Sequence, residues 1–287
     1  MFEYARPSRL DAALALLAEV PDARPLLGGT DLIVGVRKGK LRPPLVVDLK
    51  RIDELRAEIA ERDGSLLISA GTVMTQLIDD PRVRRHFPAL VEAALTVGSI
   101  QIRNRATVAG NLCNASPAAD TVPPLLVHGA RVEVAGPSGT RVVPVEELLV
   151  GPGKTSLAPG ELVTAVELPL PVDPVGAAFE RLTRRRGVDL ATISVCCSVS
   201  SAGVARFAYG AAGPRPFLVV DDSGTLADPA RDGEERDRVL HRLTSHAAPI
   251  DNVRASREYR QAMLLVMSRR ALERARQRLA EANGNAR

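Results

Sequence analysis

The sequence predicts an α+β fold. Apolar residues recur at helical spacing in some segments and in short β-branched runs in others, and the two kinds alternate as far as Pro169. Beyond Pro169, Pro171 and Pro174 the order changes: strands come in succession and helices follow them. An apolar fraction of 45% over 287 residues is enough to give such a chain an ordinary core.

The elements follow in order. Ser8 is placed to cap a helix, with Asp11 three residues later, and Leu10, Ala13, Leu14 and Leu17 keep its apolar spacing up to Pro21. Ala23–Gly29 reads as a strand that ends in two glycines, and Thr30–Lys40 as a helix opened by Thr30 and Asp31. Strands are predicted at Pro44–Leu49 and Ser65–Thr72, and one or two helices between Asp79 and Val97. Pro117–Ala130 reads as a helix with its prolines near the start. "RVEVAG" and "TRVVPV" form a hairpin around a Ser-Gly-Thr turn, and Glu161–Pro171 is another strand. After the prolines, residues 176–213 suggest three antiparallel strands. A polar stretch leads into helices, the last running from about Arg257 to Ala282 on the face of Met263, Leu264, Met267, Ala271, Leu272, Ala275 and Leu279, with Gly284 ending it.

Composition removes several classes. The chain carries 38 basic and 34 acidic residues, no Trp and 3% aromatics, which argues against a groove for nucleic acid. No apolar run is long enough to span a membrane and the start does not read as a signal peptide, so the expected location is cytoplasmic. Three cysteines, Cys113, Cys196 and Cys197, are too few for an iron–sulfur cluster, and the adjacent pair in "ATISVCCSVS" reads as buried thiols. His86, His128, His241 and His246 show no zinc spacing and no triad. Chemistry, if any, must be carried by a bound cofactor.

Two stretches suit such a cofactor. "LLGGTDL" puts two glycines between a strand and a helix, where backbone can approach a phosphate; taken alone it reads as a tight turn, and it lacks the G-x-G-x-x-G fingerprint. "GSIQIRNRATVAGNLCNASPAAD", Gly98–Asp120, is crowded with small and amide side chains. Within it "TVAGN" (Thr107–Asn111) offers a second small-residue turn, and Asp120 a carboxylate for a ribose or adenine. Two such segments argue for a long anionic ligand, and a pyrophosphate-bridged dinucleotide fits. "GPGKTS" imitates a Walker loop, but Leu148 stands where its first glycine belongs. "RLTRRRGVDLAT", Arg181–Thr192, reads as a solvated basic strand end, as cations that stabilise a reduced flavin, or as a docking site for a partner subunit.

"LLGGTDL" followed by the Gly98–Asp120 run resembles the flavin-binding medium subunit of the molybdenum hydroxylase family, of the carbon monoxide and xanthine dehydrogenase type. The likeness spans nearly the whole chain, and "GPGKTSLAPGELVTAVELP" belongs to it. The resemblance implies a PCMH/VAO-like FAD-binding domain over residues 1–172, with α+β subdomains at about 1–56 and 57–172, and a C-terminal flavoprotein domain over 175–287 with a three-stranded antiparallel sheet and a helical bundle. It implies FAD held at Leu27, Gly28, Gly29, Thr30, Asp31 and Leu32, at Thr107, Ala109, Gly110 and Asn111, and at Asp120, Leu162, Arg181 and Leu190, with no catalytic residue and no metal. Electrons would come from the [2Fe–2S] clusters of a small subunit beside a molybdenum-cofactor large subunit and leave to an external acceptor, in an assembly that can double into a dimer of heterotrimers. Two departures stand out. Ala109 replaces a glycine usual in relatives, which would crowd the pyrophosphate if position 109 needed a glycine-only conformation, and Leu190 stands where some relatives have tyrosine. The alternatives are a stand-alone FAD-dependent oxidoreductase and a flavin-free binding or assembly protein, the last supported only by Ala109.

Overall fold

The computed structural model describes residues 2–285. The chain forms two compact units, each assembled from separate stretches.

Unit 1 contains the described residues up to Asp80, Val97–Ala115 and Ala130–Pro169. Its first sheet is parallel, in the order β1 (Glu3–Ala5), β3 (Leu45–Asp48), β2 (Arg24–Leu26). The middle strand is buried at every position, as expected for a parallel sheet covered on both faces. The helix Leu10–Glu19 joins β1 to β2 and buries Ala13 and Leu17. Ser8 does not cap it: Arg9 occupies the cap position, and its guanidinium binds Asp11 at 3.0 Å. The second sheet is antiparallel, in the order β4 (Ile59–Arg62), β5 (Ser65–Ser69), β10 (Leu162–Pro169), β6 (Arg131–Gly136), β7 (Gly139–Pro144). A two-stranded piece, β8 (Leu149–Gly151) with β9 (Lys154–Thr155), precedes β10. Strand β4 is absent from the sequence-based expectation. Its signal is Asp63-Gly64, both at positive φ (50° and 73°), which makes the two-residue hairpin that pairs Arg62 with Ser65.

Unit 2 contains Pro81–Thr96, Ser116–Gly129 and the chain from Leu170 to the described end. Its antiparallel sheet runs in order through β11 (Val175–Leu182), β12 (Ile193–Ser200), β13 (Ala205–Gly210) and β14 (Phe217–Asp221). Three strands are expected from the sequence; β14 is the fourth and lies on the edge, with Val220 exposed. The helices Gly233–Thr244 and Arg257–Asn285 accompany it. Gly284 does not stop the terminal helix, which continues through it. Tyr209, Phe207, Leu264, Met267 and Ala271 form the core between sheet and helix. Gly176 lets strand and helix meet backbone to backbone: a Cβ there would lie 2.0 Å from the carbonyl oxygen of Ala275.

Helices Pro81–His86, Pro88–Leu95 and Val122–Val127 belong to this unit although they stand early in the chain. The last is shorter than the predicted Pro117–Ala130, because residues before its prolines turn rather than coil. Glu92 fastens the second of these helices in place. Its carboxylate accepts from the Phe179 amide at 3.0 Å and from the guanidinium groups of Arg274 and Arg278.

Candidate cofactor-binding site

In unit 1 the parallel strands β2 and β3 end on the same side, and the chain leaving β2 turns through Leu27–Asp31 into the helix Leu32–Arg37. Gly29 makes the turn at φ +73°, a left-handed value that other residues adopt with strain. Gly28 has a different duty. A Cβ at this position would lie 2.1 Å from the carbonyl oxygen of Arg105 and 3.1 Å from the Cα of Ala106. The absence of a side chain therefore brings the Leu27–Leu32 turn against the segment that leads into Thr107–Asn111.

Thr107 caps the short helix Val108–Cys113: its Oγ1 accepts from the Gly110 amide at 3.0 Å. The Val108 amide donates to Thr72 O at 3.2 Å. Ala109 lies in ordinary helical backbone and is 3% exposed, so the position does not need a glycine-only conformation. That removes the observation on which a flavin-free reading rested. Gly110 is the exposed residue of the pair, and Asn111 is half-buried. Leu162 opens β10, buried beside β6.

The amides of Gly28, Gly29, Thr30, Asp31 and Leu32 have no hydrogen-bond partner among the described residues. Five consecutive free donors on a half-buried turn are a cradle for an anion. Beside it opens a cleft of about 200 Å³ lined by Leu27, Gly28, Thr107, Lys50, Arg56, Asn104 and Arg105. Lys50, Arg56, Asn104 and Arg105 were not singled out from the sequence. Lys50 follows β3, and its place beside the glycine turn comes from the parallel pairing of β3 with β2, which no local sequence signal announces.

In unit 2, Asp120 is 6% exposed and accepts from Arg181 Nε at 3.0 Å. Burial outweighs the guanidinium and pushes the carboxyl up to about 6. Arg181 Nη2 also donates to the carbonyl of Asp189, so one guanidinium ties the Asp120 segment to the loop that presents Leu190. Leu190 is 49% exposed, and its amide donates to Asp189 Oδ1 at 2.9 Å. The basic run is not simply solvated. Arg184 pairs with Asp189 at 3.2 Å and Arg185 donates to Val188 O at 2.8 Å, so both brace their own loop.

The three cysteines are held as neutral thiols. Burial pushes the Cys113 thiol up to about 12 and raises those of Cys196 and Cys197 as well. Among the described residues no cluster of His, Cys, Asp or Glu could hold a metal ion, and no helix is long and apolar enough to cross a membrane.

Fold and cradle define a chain that holds a dinucleotide cofactor. The family described as the FAD-binding domain in molybdopterin dehydrogenase matches residues 1–171, and the CO dehydrogenase flavoprotein C-terminal domain matches residues 177–275. The chain is 34% identical to the xanthine dehydrogenase FAD-binding subunit of Escherichia coli O157:H7 (96% of this chain, 97% of that one). It is 33% identical to the carbon monoxide dehydrogenase medium chain of Afipia carboxidovorans, with the same coverage. Among solved structures, reconstituted CO dehydrogenase from Oligotropha carboxidovorans superposes with a TM-score of 0.90 at 32% identity, covering 97% of this chain and 98% of that one. The chain belongs to the FAD-binding subunits of molybdenum hydroxylase-type dehydrogenases, and is an oxidoreductase subunit whose cofactor is FAD.

Proposed function

We infer that this chain is the electron-transfer subunit of a molybdenum-containing dehydrogenase. It takes electrons from the [2Fe–2S] clusters of a small partner subunit and passes them to an external acceptor, while a molybdenum-cofactor large subunit oxidises the substrate. The supporting observation is the close approach of Gly28 to Arg105, which joins two small-residue turns into one anion cradle with five free amides.

FAD, when bound, supplies a ring that stores one or two electrons and so matches one-electron clusters to a two-electron acceptor. This chain's own residues bind and orient. Gly28, Gly29, Thr30, Asp31 and Leu32 would hold the pyrophosphate through their free backbone amides, Thr107, Ala109, Gly110 and Asn111 would pack against it as the second small-residue turn, and Leu27 and Leu162 would line the site. Asp120 would take the adenosine part. Arg181 would hold Asp120 ionised and the Leu190 loop in place, with Leu190 beside the ring. Residues 1–172 would form the FAD-binding domain and 175–287 the C-terminal domain, in a cytoplasmic heterotrimer that can double.

The visible spectrum of the purified chain, before and after adding FAD, tests the reading. A flavin spectrum retained through gel filtration, together with co-purification of two further chains carrying molybdenum and iron, supports it. A chain that takes up no flavin alone or in the assembly overturns it.

A further inference from the structure

Arg260 of unit 2 is 2% exposed, yet its guanidinium meets no carboxylate among the described residues. It lies in the first turn of the helix Arg257–Asn285, at the end of the dipole that repels a cation. It donates to neutral oxygens alone: the carbonyl of Thr192, Ala211 O at 3.4 Å and Asn252 Oδ1 at 2.8 Å. Its Nε is enclosed without a partner. Burial, and after it the charge of Arg254, pulls its pKa down. An apolar side chain of similar volume would fill such a place at lower cost than a cation with no counter-ion. What only a guanidinium provides is a planar fork that grips several oxygens at once.

Those oxygens belong to different segments. The Thr192 amide donates to Leu182 O at 2.8 Å, which closes the loop 183–191 that carries Leu190. Ala211 stands at φ +55°, a left-handed value that costs an alanine energy, and its amide donates to Pro117 O at 2.6 Å, on the segment that leads to Asp120. Asn252 stands in the turn before the helix, where its Oδ1 also accepts from the Arg254 amide at 2.9 Å. Arg181 joins the first two segments a second time, through the Asp189 carbonyl and the Asp120 carboxylate. One guanidinium thus ties the Leu190 loop to the Asp120 segment beside the residues assigned to the cofactor, and the other ties the same pair at their far ends.

We propose that Arg260 is a positioning residue: it fixes the Leu190 loop against the Asp120 segment from behind, and so sets how closely Leu190 covers the flavin ring. The proposal rests on the placement of Leu190 beside the ring given above. Arg260 itself has no hydrogen bond to Asp120 or Leu190, so it acts through the backbone of the segments it grips. Methionine in its place fills the space and holds nothing. Lysine keeps the charge as a point and cannot reach all the acceptors of the fork.

The test uses the full chain loaded with FAD, as wild type, Arg260→Lys, Arg260→Met, Leu190→Ala, and Arg260→Met combined with Leu190→Ala. Hydrogen exchange at the amides of residues 183–192 reads the loop, and iodide quenching of the bound flavin's fluorescence reads the cover over the ring. Exchange is expected to quicken about tenfold or more in Arg260→Met, as hydrogen bonds from a charged donor are lost, with Arg260→Lys between it and wild type. Quenching should rise in the same order. Leu190→Ala should raise quenching by itself, and adding it to Arg260→Met should add little, because both act through one side chain. A residue that only supports the core would lower the melting temperature and leave exchange at 183–192 and quenching as in wild type, a result that overturns the proposal. Fully additive effects of the two substitutions on quenching also overturn it. If Arg260→Met does not fold, wild-type exchange and quenching in Arg260→Lys are sufficient to overturn it. Wild-type quenching in Leu190→Ala defeats the placement of Leu190 beside the ring, and with it the cover assigned to Arg260, a result distinct from wild-type exchange in the Arg260 variants.

Discussion

Gly28→Ala isolates the contact that joins the two turns. The new methyl would stand 2.1 Å from Arg105 O, 2.9 Å from its carbonyl carbon and 3.1 Å from Ala106 Cα, where ordinary contact begins at 3.4 Å. All three atoms are backbone, so the turns must part by more than 1 Å. Gly28 is not at positive φ, so alanine suffers no backbone strain and the whole effect comes from crowding. Overpacking of this kind costs about 1–3 kcal/mol. If that cost falls on the cradle, the FAD dissociation constant rises about 5- to 140-fold, at roughly 1.4 kcal/mol per decade. Thermal unfolding of the FAD-free chain and titration by quenching of flavin fluorescence separate the two effects. A Gly28→Ala chain that melts and binds FAD as wild type does would show that the approach of Gly28 to Arg105 does not build the site.

Ala109→Gly should not improve FAD binding and should lower stability by roughly 1 kcal/mol, because residue 109 lies in a helix; tighter FAD binding by the glycine variant would contradict this. His128 is half-buried, but its Nε2 is enclosed without a partner, and burial pushes the ring down to about 4. The unfolded chain takes up that proton near 6.5, so stability falls as pH drops from about 6.5 to about 4, by about 3 kcal/mol for this group. Denaturant melts at pH 7 and pH 4.5 should show a smaller loss for His128→Phe, and an equal loss would refute the assignment. Asp120 acts in the opposite sense: with its carboxyl pushed up to about 6, the folded chain protonates before the unfolded one, so stability from this group grows as pH falls through 6. Asp120→Asn should remove that gain in the FAD-free chain. Glu92→Ala would leave Arg274, Arg278 and the Phe179 amide without their shared acceptor, at a cost of roughly 3 kcal/mol; a melting temperature within a degree of wild type would count against the network.

Much of the site could be read in the sequence because a phosphate cradle leaves a local signature. Backbone must come close, so "LLGGTDL" and "TVAGN" are made of small residues, whatever surrounds them. Residues recruited to the cleft from elsewhere carry no such mark. Lys50 and Arg56 look like ordinary charged residues after a strand and in a turn, and only parallel pairing of β2 with β3 brings Lys50 to the cleft. The same limit explains β4, whose polar sequence hides it until the Asp63-Gly64 turn pairs it with β5. It also bears on the terminal helix, which continues through Gly284 where the sequence reads an end.

The sequence by itself determined the alternation of helix and strand, the two glycine-rich turns and the family, because periodicity and steric permission are written residue by residue. Tertiary structure alone decided that Gly28 serves contact with Arg105 and that Ala109 needs no special backbone. It also decided that Asp120 is gripped by Arg181, and that helices early in the chain join the C-terminal sheet. Those facts depend on which distant segments share a surface, and burial, desolvation and backbone approach exist only once the chain has closed on itself.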